Sequence, residues 1–333
     1  MPPTRARIQE LERATRFLPQ WLEKALRLQE VLVALQGDRR TQGRLALKGG
    51  TALNLAYLGL ARLSVDLDFN YVGAIDKEAA IAERPSLEQQ VERTVAGLAY
   101  GVRRIRDSYA STTWALHYAT VFGGPDALRL DINYLHRVPL FGTRELRTSP
   151  LGDEPSIALV CVSPEELMGG KIMALVERGA ARDLFDAYRF ARSPIRELDA
   201  KNFRIGFLVL LATLPTEVRA LEARSVLDAV TEGDVRTNLA PMLRRDEPVD
   251  RNAMAVVVEP MLKGLLAWST GERAFVDAVT VGRIEPEHLT GDDDLQAKIR
   301  NHPALRWKVE NVSGYLKGDR PPEGRRRGRP RRH

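Results

Sequence analysis

The segment RLALKGGTALNLAYLGLARLSVDLDFNYVG, residues 44–73, constrains the fold of this chain more than any other. An apolar run meets a Gly-Gly pair, a helical pattern follows, and a second apolar run carries two aspartates at alternate positions. This reads as strand, tight turn, helix, strand. Side chains alternate faces along a strand, so Asp66 and Asp68 project from one side while Val65, Leu67 and Phe69 take the other into the core. Two carboxylates held two residues apart repel one another, and a bound divalent cation is the natural resolution. Upstream, Gly49, Gly50 and Thr51 close the first strand and open the helix. Glycines there let the backbone approach a ligand, and helix N-terminal amides with a hydroxyl favour a phosphate. The unit therefore sets triphosphate oxygens next to metal ions.

The remaining pattern fits a mixed α/β chain that turns helical. Residues 5–36 carry apolar positions at helical spacing, and Pro19 breaks them into two short helices. Residues 86–107 look like an amphipathic helix. TTWALHYATVF and ALRLDINYL, separated by GGPD, read as an antiparallel hairpin whose second strand buries Leu128, Leu130 and Ile132 and turns Asp131 outward. If that strand lies beside the Asp66–Asp68 strand, Asp131 joins the pair as a third oxygen ligand; a solvated face is the alternative. A β-rich run at 155–162 leads into Ser163, Pro164, Glu165 and Glu166, a capping box that opens a helix over 164–177 containing Lys171. After Gly179 the segment RDLFDAYRFARS gives a second helix. From 195 to 318 the spacing is mostly helical, broken at Pro215, Pro241, Pro248, Pro260 and Pro286. The expected organisation is N-terminal helices over 1–40, a catalytic core over 41–195, a helical bundle over 196–318 and a disordered tail over 319–333.

Charge distribution narrows the partners. The net charge is +6, and seven arginines against Glu323 within 320–333 account for all of it, leaving residues 1–319 neutral in sum. The tail contains RGRP, similar to an AT-hook core, and three uses are open to it: that motif, nonspecific contact with nucleic-acid backbone, or solubility. One cysteine, Cys161, allows no internal disulfide and sits in an apolar run as a small core residue. No stretch approaches the roughly 18 to 20 apolar residues of a membrane span, and the start lacks a signal-peptide core, so a soluble cytoplasmic protein is expected. The five histidines lack metal-ligand spacing, and Trp114, Trp268 and Trp307 belong most simply to apolar faces. Neither a Walker A motif nor G-x-G-x-x-G occurs; the GGK at 169–171 lacks the spacing of a P-loop.

LKGGTALNLAYLGLARLSVDLDF, followed about a hundred residues later by ELMGGKIMALVERGAARDLFDAYRF, resembles the AbiEii/AbiGii (MenT-like) nucleotidyltransferase family of type IV toxin–antitoxin systems. Gly49 and Gly50 match the family's turn, Ser64, Asp66 and Asp68 its second motif, Lys171 its lysine, and Arg182, Asp183 and Asp186 its R-D-x-x-D segment. The match is specific over about 45–190. The resemblance implies a DNA polymerase β-like nucleotidyltransferase core with a mixed sheet, followed by a C-terminal helical bundle. It also implies NTP as substrate with magnesium, a cognate antitoxin as partner, and transfer of NMP to an RNA acceptor, the tRNA 3′ end, which blocks translation.

Under that resemblance Asp66, Asp68, Lys171 and Asp186 are the catalytic set. Asp66, Asp68 and Asp131 are the metal ligands. Gly49, Gly50, Thr51, Ser64, Lys171 and Arg182 bind the nucleotide. In a two-metal scheme one ion activates the attacking hydroxyl and the other steadies the pyrophosphate. Lys171 is expected to bind the triphosphate as a mobile point charge. Asp186 either orients Lys171 or acts on the incoming hydroxyl. A plain surface ion pair is the other reading of Arg182 and Asp186, four apart on a helix. Two further functions stay open: nucleotidylation of a protein or small-molecule acceptor, and a noncatalytic nucleic-acid-binding regulator acting through its tail.

Overall fold

The computed structural model describes residues 3–214, 218 and 221–316. Pro215 and the tail over 319–333 lie outside the described residues. Two helices come first, α1 (Arg5–Thr15) and α2 (Pro19–Gly37), divided at Pro19, which occupies the first helical position of α2. The expected strand–turn–helix–strand unit follows as β1 (Leu45–Leu47), α3 (Gly49–Ala56) and β2 (Asp66–Tyr71). Then come α4 (Lys77–Gly97), β3 (Gly101–Asp107), β4 (Ser111–Ala119), β5 (Pro125–Asn133), β6 (Thr143–Arg147) and β7 (Ala158–Val162). Every element after β7 is helical: α5 (Pro164–Arg178), α6 (Ala181–Arg192), α7 (Ala200–Ala212), α8 (Ala223–Asp228), α9 (Glu232–Asp234), α10 (Arg251–Leu266), α11 (Thr270–Thr280), α12 (Asp293–Arg300) and α13 (Pro303–Leu316), with short π and 3-10 turns between them.

The strands form one mixed seven-stranded sheet in the order β3-β4-β5-β2-β1-β7-β6. β2 runs antiparallel to β1 and parallel to β5, with Asp68 opposite Asp131. Leu67 and Phe69 on β2 and Leu128, Leu130 and Ile132 on β5 are buried, so both strands turn their aspartates away from the same apolar layer. That layer is closed by α4, whose Glu92 accepts from the indole N–H of the fully buried Trp114. Cys161 is likewise buried. The C-terminal helices meet the loop between β5 and β6: Lys298 on α12 donates to the Leu140 carbonyl at 3.3 Å, and the His302 and His136 rings meet edge to face at 5.4 Å.

Three expectations need correction, and one strand went unread. Residues 86–107 are not one helix. α4 starts earlier because Asp76 caps it, accepting from the Ala79 N–H at 2.9 Å, and it ends at Gly97. Residues 101–107 then form edge strand β3, because GVRRIRD finds a partner in β4, although Val102 and Ile105, three apart, carry a helical spacing. Strand β6, TRELR, carries too few apolar residues to be legible; it forms by antiparallel pairing with β7. Pro260 does not break its helix but lies inside α10 on an exposed side, where the carbonyl it frees is open to solvent. Trp307 is 42% exposed instead of belonging to a buried face.

Leu67, fully buried between the two aspartates, anchors their strand to the core. Leu67→Ala is expected to destabilise the protein by about 2–5 kcal/mol in urea unfolding.

Candidate active site

The site begins at the turn between β1 and α3. Gly49 has φ of +73°, a left-handed conformation that penalises any side chain. A Cβ at Gly49 would meet Asp68 Oδ2 at 3.0 Å. One at Gly50 would meet the Arg62 guanidinium at 2.5 Å and both Lys171 Nζ and Ser64 Oγ at 3.4 Å. The glycines are thus demanded by close approach as well as by backbone angle. The turn is pressed between the aspartates on one side and buried cations on the other. Thr51 is buried; its hydroxyl donates to the Asp66 carbonyl at 2.6 Å and sits 2.9 Å from the Ser64 hydroxyl, fastening α3 to β2. Its hydroxyl is spent inside the fold.

Beneath the turn lies a buried ionic network that sequence reasoning identified only in part. Arg62, 2% exposed, grips Asp186 with two parallel bonds, Nε to Oδ1 at 2.9 Å and Nη2 to Oδ2 at 2.7 Å. Lys171 Nζ lies 2.8 Å from Asp183 Oδ1 and 2.9 Å from Asp186 Oδ2. Arg178 closes the chain by holding Asp183 at 2.6 and 2.9 Å. Asn54 joins the turn to the network, donating to the Gly50 carbonyl at 3.0 Å and to Asp186 Oδ1 at 3.1 Å. Three cations against two carboxylates leave the floor net positive.

This arrangement decides several open points. Lys171 is not a mobile charge: it is 6% exposed and pinned by two carboxylates. Arg182 and Asp186 form no surface pair; Asp186 is fully buried, and Arg182 turns instead toward Asp66 at 3.6 Å. Both Asp186 oxygens are occupied by Arg62, Lys171 and Asn54, the geometry of a group that orients cations. Arg62 and Arg178 carried no recognised signal. The one clue to Arg62 was a charged residue inside the otherwise apolar LGLARL, just ahead of the aspartate strand.

The carboxylates differ in environment. Burial pushes the Asp68 carboxyl up, the Asp66 and Asp131 carboxylates push it further, and Lys48 opposes them. Burial also acts to raise Asp183 and Asp186, but Lys171 and Arg178 hold Asp183 well below the usual range, and Arg62 and Lys171 hold Asp186 below it. Asp131 accepts from the Thr113 hydroxyl at 2.5 Å and lies 3.5 Å from Arg129. Among the described residues, no three His, Cys, Asp or Glu side chains are already gathered as a metal cage. An exposed Asp66 beside a recessed, repelled Asp68 still suits a hard divalent cation, because such an ion is commonly held by one or two carboxylates and completed by water and substrate phosphates.

A family model described as nucleotidyl transferase AbiEii toxin, type IV toxin–antitoxin system, matches residues 33–268. The chain belongs to this family. It is therefore a nucleotidyltransferase of the toxin class, an enzyme class that uses NTP with divalent metal, and its family implies a cognate antitoxin. MenT4, a nucleotidyltransferase toxin from Mycobacterium tuberculosis, is similar in fold, with a TM-score of 0.60 at 21% identity over 94% of this chain and 99% of that one. JHP933 from Helicobacter pylori aligns at 20% identity over 75% of this chain and 93% of that chain with a TM-score of 0.49, too distant for argument. No curated protein matches the sequence. Among the described residues no helix is long and apolar enough to cross a membrane.

Two outcomes follow for this AbiEii-family chain. Asp186→Asn strands Arg62 beside a neutral group, leaves Lys171 with Asp183 alone, and is expected to cost about 3–5 kcal/mol in denaturant unfolding. Because Asp183 and Asp186 have depressed pKa values, the stability they contribute is present above about pH 4 and is lost as pH falls through their folded values, so Asp186→Asn also flattens the acid limb of a stability–pH profile. Asp68 has the opposite sign: its raised pKa means that its ionised form opposes folding in the absence of metal. Asp68→Asn is therefore expected to raise the Tm measured in a metal chelator and to give a smaller Tm increase than the native protein when a divalent cation is added.

Proposed function

We propose that this enzyme transfers NMP from an NTP, with magnesium, to the 3′ end of an RNA, the tRNA acceptor end being the target its family resemblance points to. Blocked aminoacylation then halts translation until the cognate antitoxin intervenes. The observation that carries the reading is the register of Asp68 against Asp131, one strand alternation from Asp66, directly beside the Gly49–Gly50 turn.

Asp66 and Asp68 would hold the metal ions, and Asp131, in register with Asp68, is the third carboxylate of the set. Bound there, magnesium supplies charge neutralisation at the reacting phosphate and lowers the cost of ionising the acceptor hydroxyl. The protein does the rest by position. Gly49 and Gly50 let the triphosphate approach the amides at the start of α3, with Ser64 alongside. Lys171 and Arg62 act from below the turn as a fixed positive field, so charge building on the leaving pyrophosphate meets cations that need no rearrangement. Asp186 and Asp183 are positioning residues that keep those cations in place. Arg182, 31% exposed and 3.6 Å from Asp66, would turn onto the nucleotide.

Incubation with labelled NTPs and total tRNA is expected to label RNA. Asp66→Ala and Asp68→Ala are expected to lower the rate at least about 100-fold, on the scale of removing a principal transition-state stabiliser. Label resistant to RNase and released by protease would instead assign a protein acceptor.

A further inference from the structure

The sheet face beyond the aspartates carries a row of arginines, of which Arg129 lies 3.5 Å from Asp131 and Arg103 and Arg106 stand on the outer strand. Register defines the row. Asp68 on β2 faces Asp131 on β5, Asp131 faces Thr113 on β4, and Thr113 faces Arg106 on β3. One alternation away, Asp66 faces Arg129, Arg129 faces Ala115, and Ala115 faces Arg103. The irregularity between Arg104 and Arg106 absorbs Ile105, which keeps Arg103 and Arg106 on the same side. The Thr113–Asp131 hydrogen bond fixes that side as the aspartate face.

The opposite face confirms the sorting. Arg104 lies over the Trp114 ring and pairs with Glu88, Glu92 and Asp107. Asp107 and Asp126, the other acids of these strands, are held on that face by Arg84 and Arg104 and by Lys24. On the aspartate face Arg103, Arg106 and Arg129 are exposed, Ala115 between them is small, and among the described residues neither Arg103 nor Arg106 has a hydrogen-bonding or ionic partner. Three strand spacings of about 4.8 Å put Arg106 about 14 Å from the Asp68 position, within reach of the last few nucleotides of a strand whose end sits at the metal ligands.

We propose that the β3–β4–β5 face is the track for the acceptor RNA, on which Arg103, Arg106 and Arg129 hold the phosphates leading to its reactive 3′ hydroxyl. This rests on the RNA-acceptor reading above. A single-stranded end fits better than a duplex because the terminal hydroxyl must reach Asp66 and Asp68, which stand on the same sheet face as the arginines. Phosphate contacts of this kind position the chain without reading its sequence.

The test is fluorescence anisotropy of a fluorescein-labelled single-stranded RNA with a free 3′ hydroxyl, titrated with the full chain at several salt concentrations. Losing two phosphate contacts in Arg103→Gln/Arg106→Gln is expected to weaken binding on the order of tenfold near 0.1 M salt and to reduce the slope of log K against log salt by about 1.4. Arg103→Lys/Arg106→Lys, which keeps the charge, is expected to retain the native slope and so separates charge from folding defects. NTP binding in magnesium is expected to stay unchanged in both. Native-like RNA affinity and slope in the Gln variant would overturn the track while leaving an RNA acceptor intact. A native protein that transfers NMP to another acceptor and binds no RNA would overturn both.

Discussion

Arg62 and Asp186 form the contact on which the site depends. They join the loop ahead of β2 to α6, more than a hundred residues later, through two parallel hydrogen bonds with no access to water. Lys171 on α5 and Asp183 on α6 extend the contact, and Asn54 carries it up to the Gly50 carbonyl. Buried ion pairs of this kind add little net stability compared with an apolar replacement, because each charge loses its hydration. Their value lies in directionality. Every partner is satisfied in one geometry, so the glycine turn is seated on a fixed cationic floor before any substrate arrives.

That floor and the aspartates create opposing fields across one turn. On one side, Asp66 and Asp68 repel each other, and burial makes the ionised state of Asp68 costly. On the other, three cations outnumber two carboxylates. Under the proposed function, a triphosphate with divalent cations would be complementary to both, its metals facing the aspartates and its oxygens the floor. Crowded carboxylates of this kind oppose folding, a familiar exchange of stability for function. The same sheet continues the logic outward, where Arg103, Arg106 and Arg129 follow the aspartates in register.

Much of the fold was legible because its signals are local. Alternation marked β2 and β5, Gly49 and Gly50 marked the turn, and Ser163 with Pro164 marked the start of α5. The errors fell where pairing overrides local preference. β3 and β6 are edge strands with few apolar residues, and their spacing is compatible with more than one structure until a neighbour supplies hydrogen bonds. Pro260 is tolerated because its position on α10 faces solvent, a fact of packing and not of composition.

The sequence by itself determined the aspartate pair, the glycine turn and the residues that place the chain in its family, because these depend on contacts within about twenty-five residues or on motifs carried intact. Only the tertiary structure decided what Lys171 and Asp186 touch. Their partners come from distant segments, and Arg62, the residue that occupies Asp186, has no neighbours in sequence that announce it. A buried charge is recognisable as functional or structural only through what surrounds it, and burial is a property of the whole fold. The same holds for the arginine row, which three strands assemble by register alone.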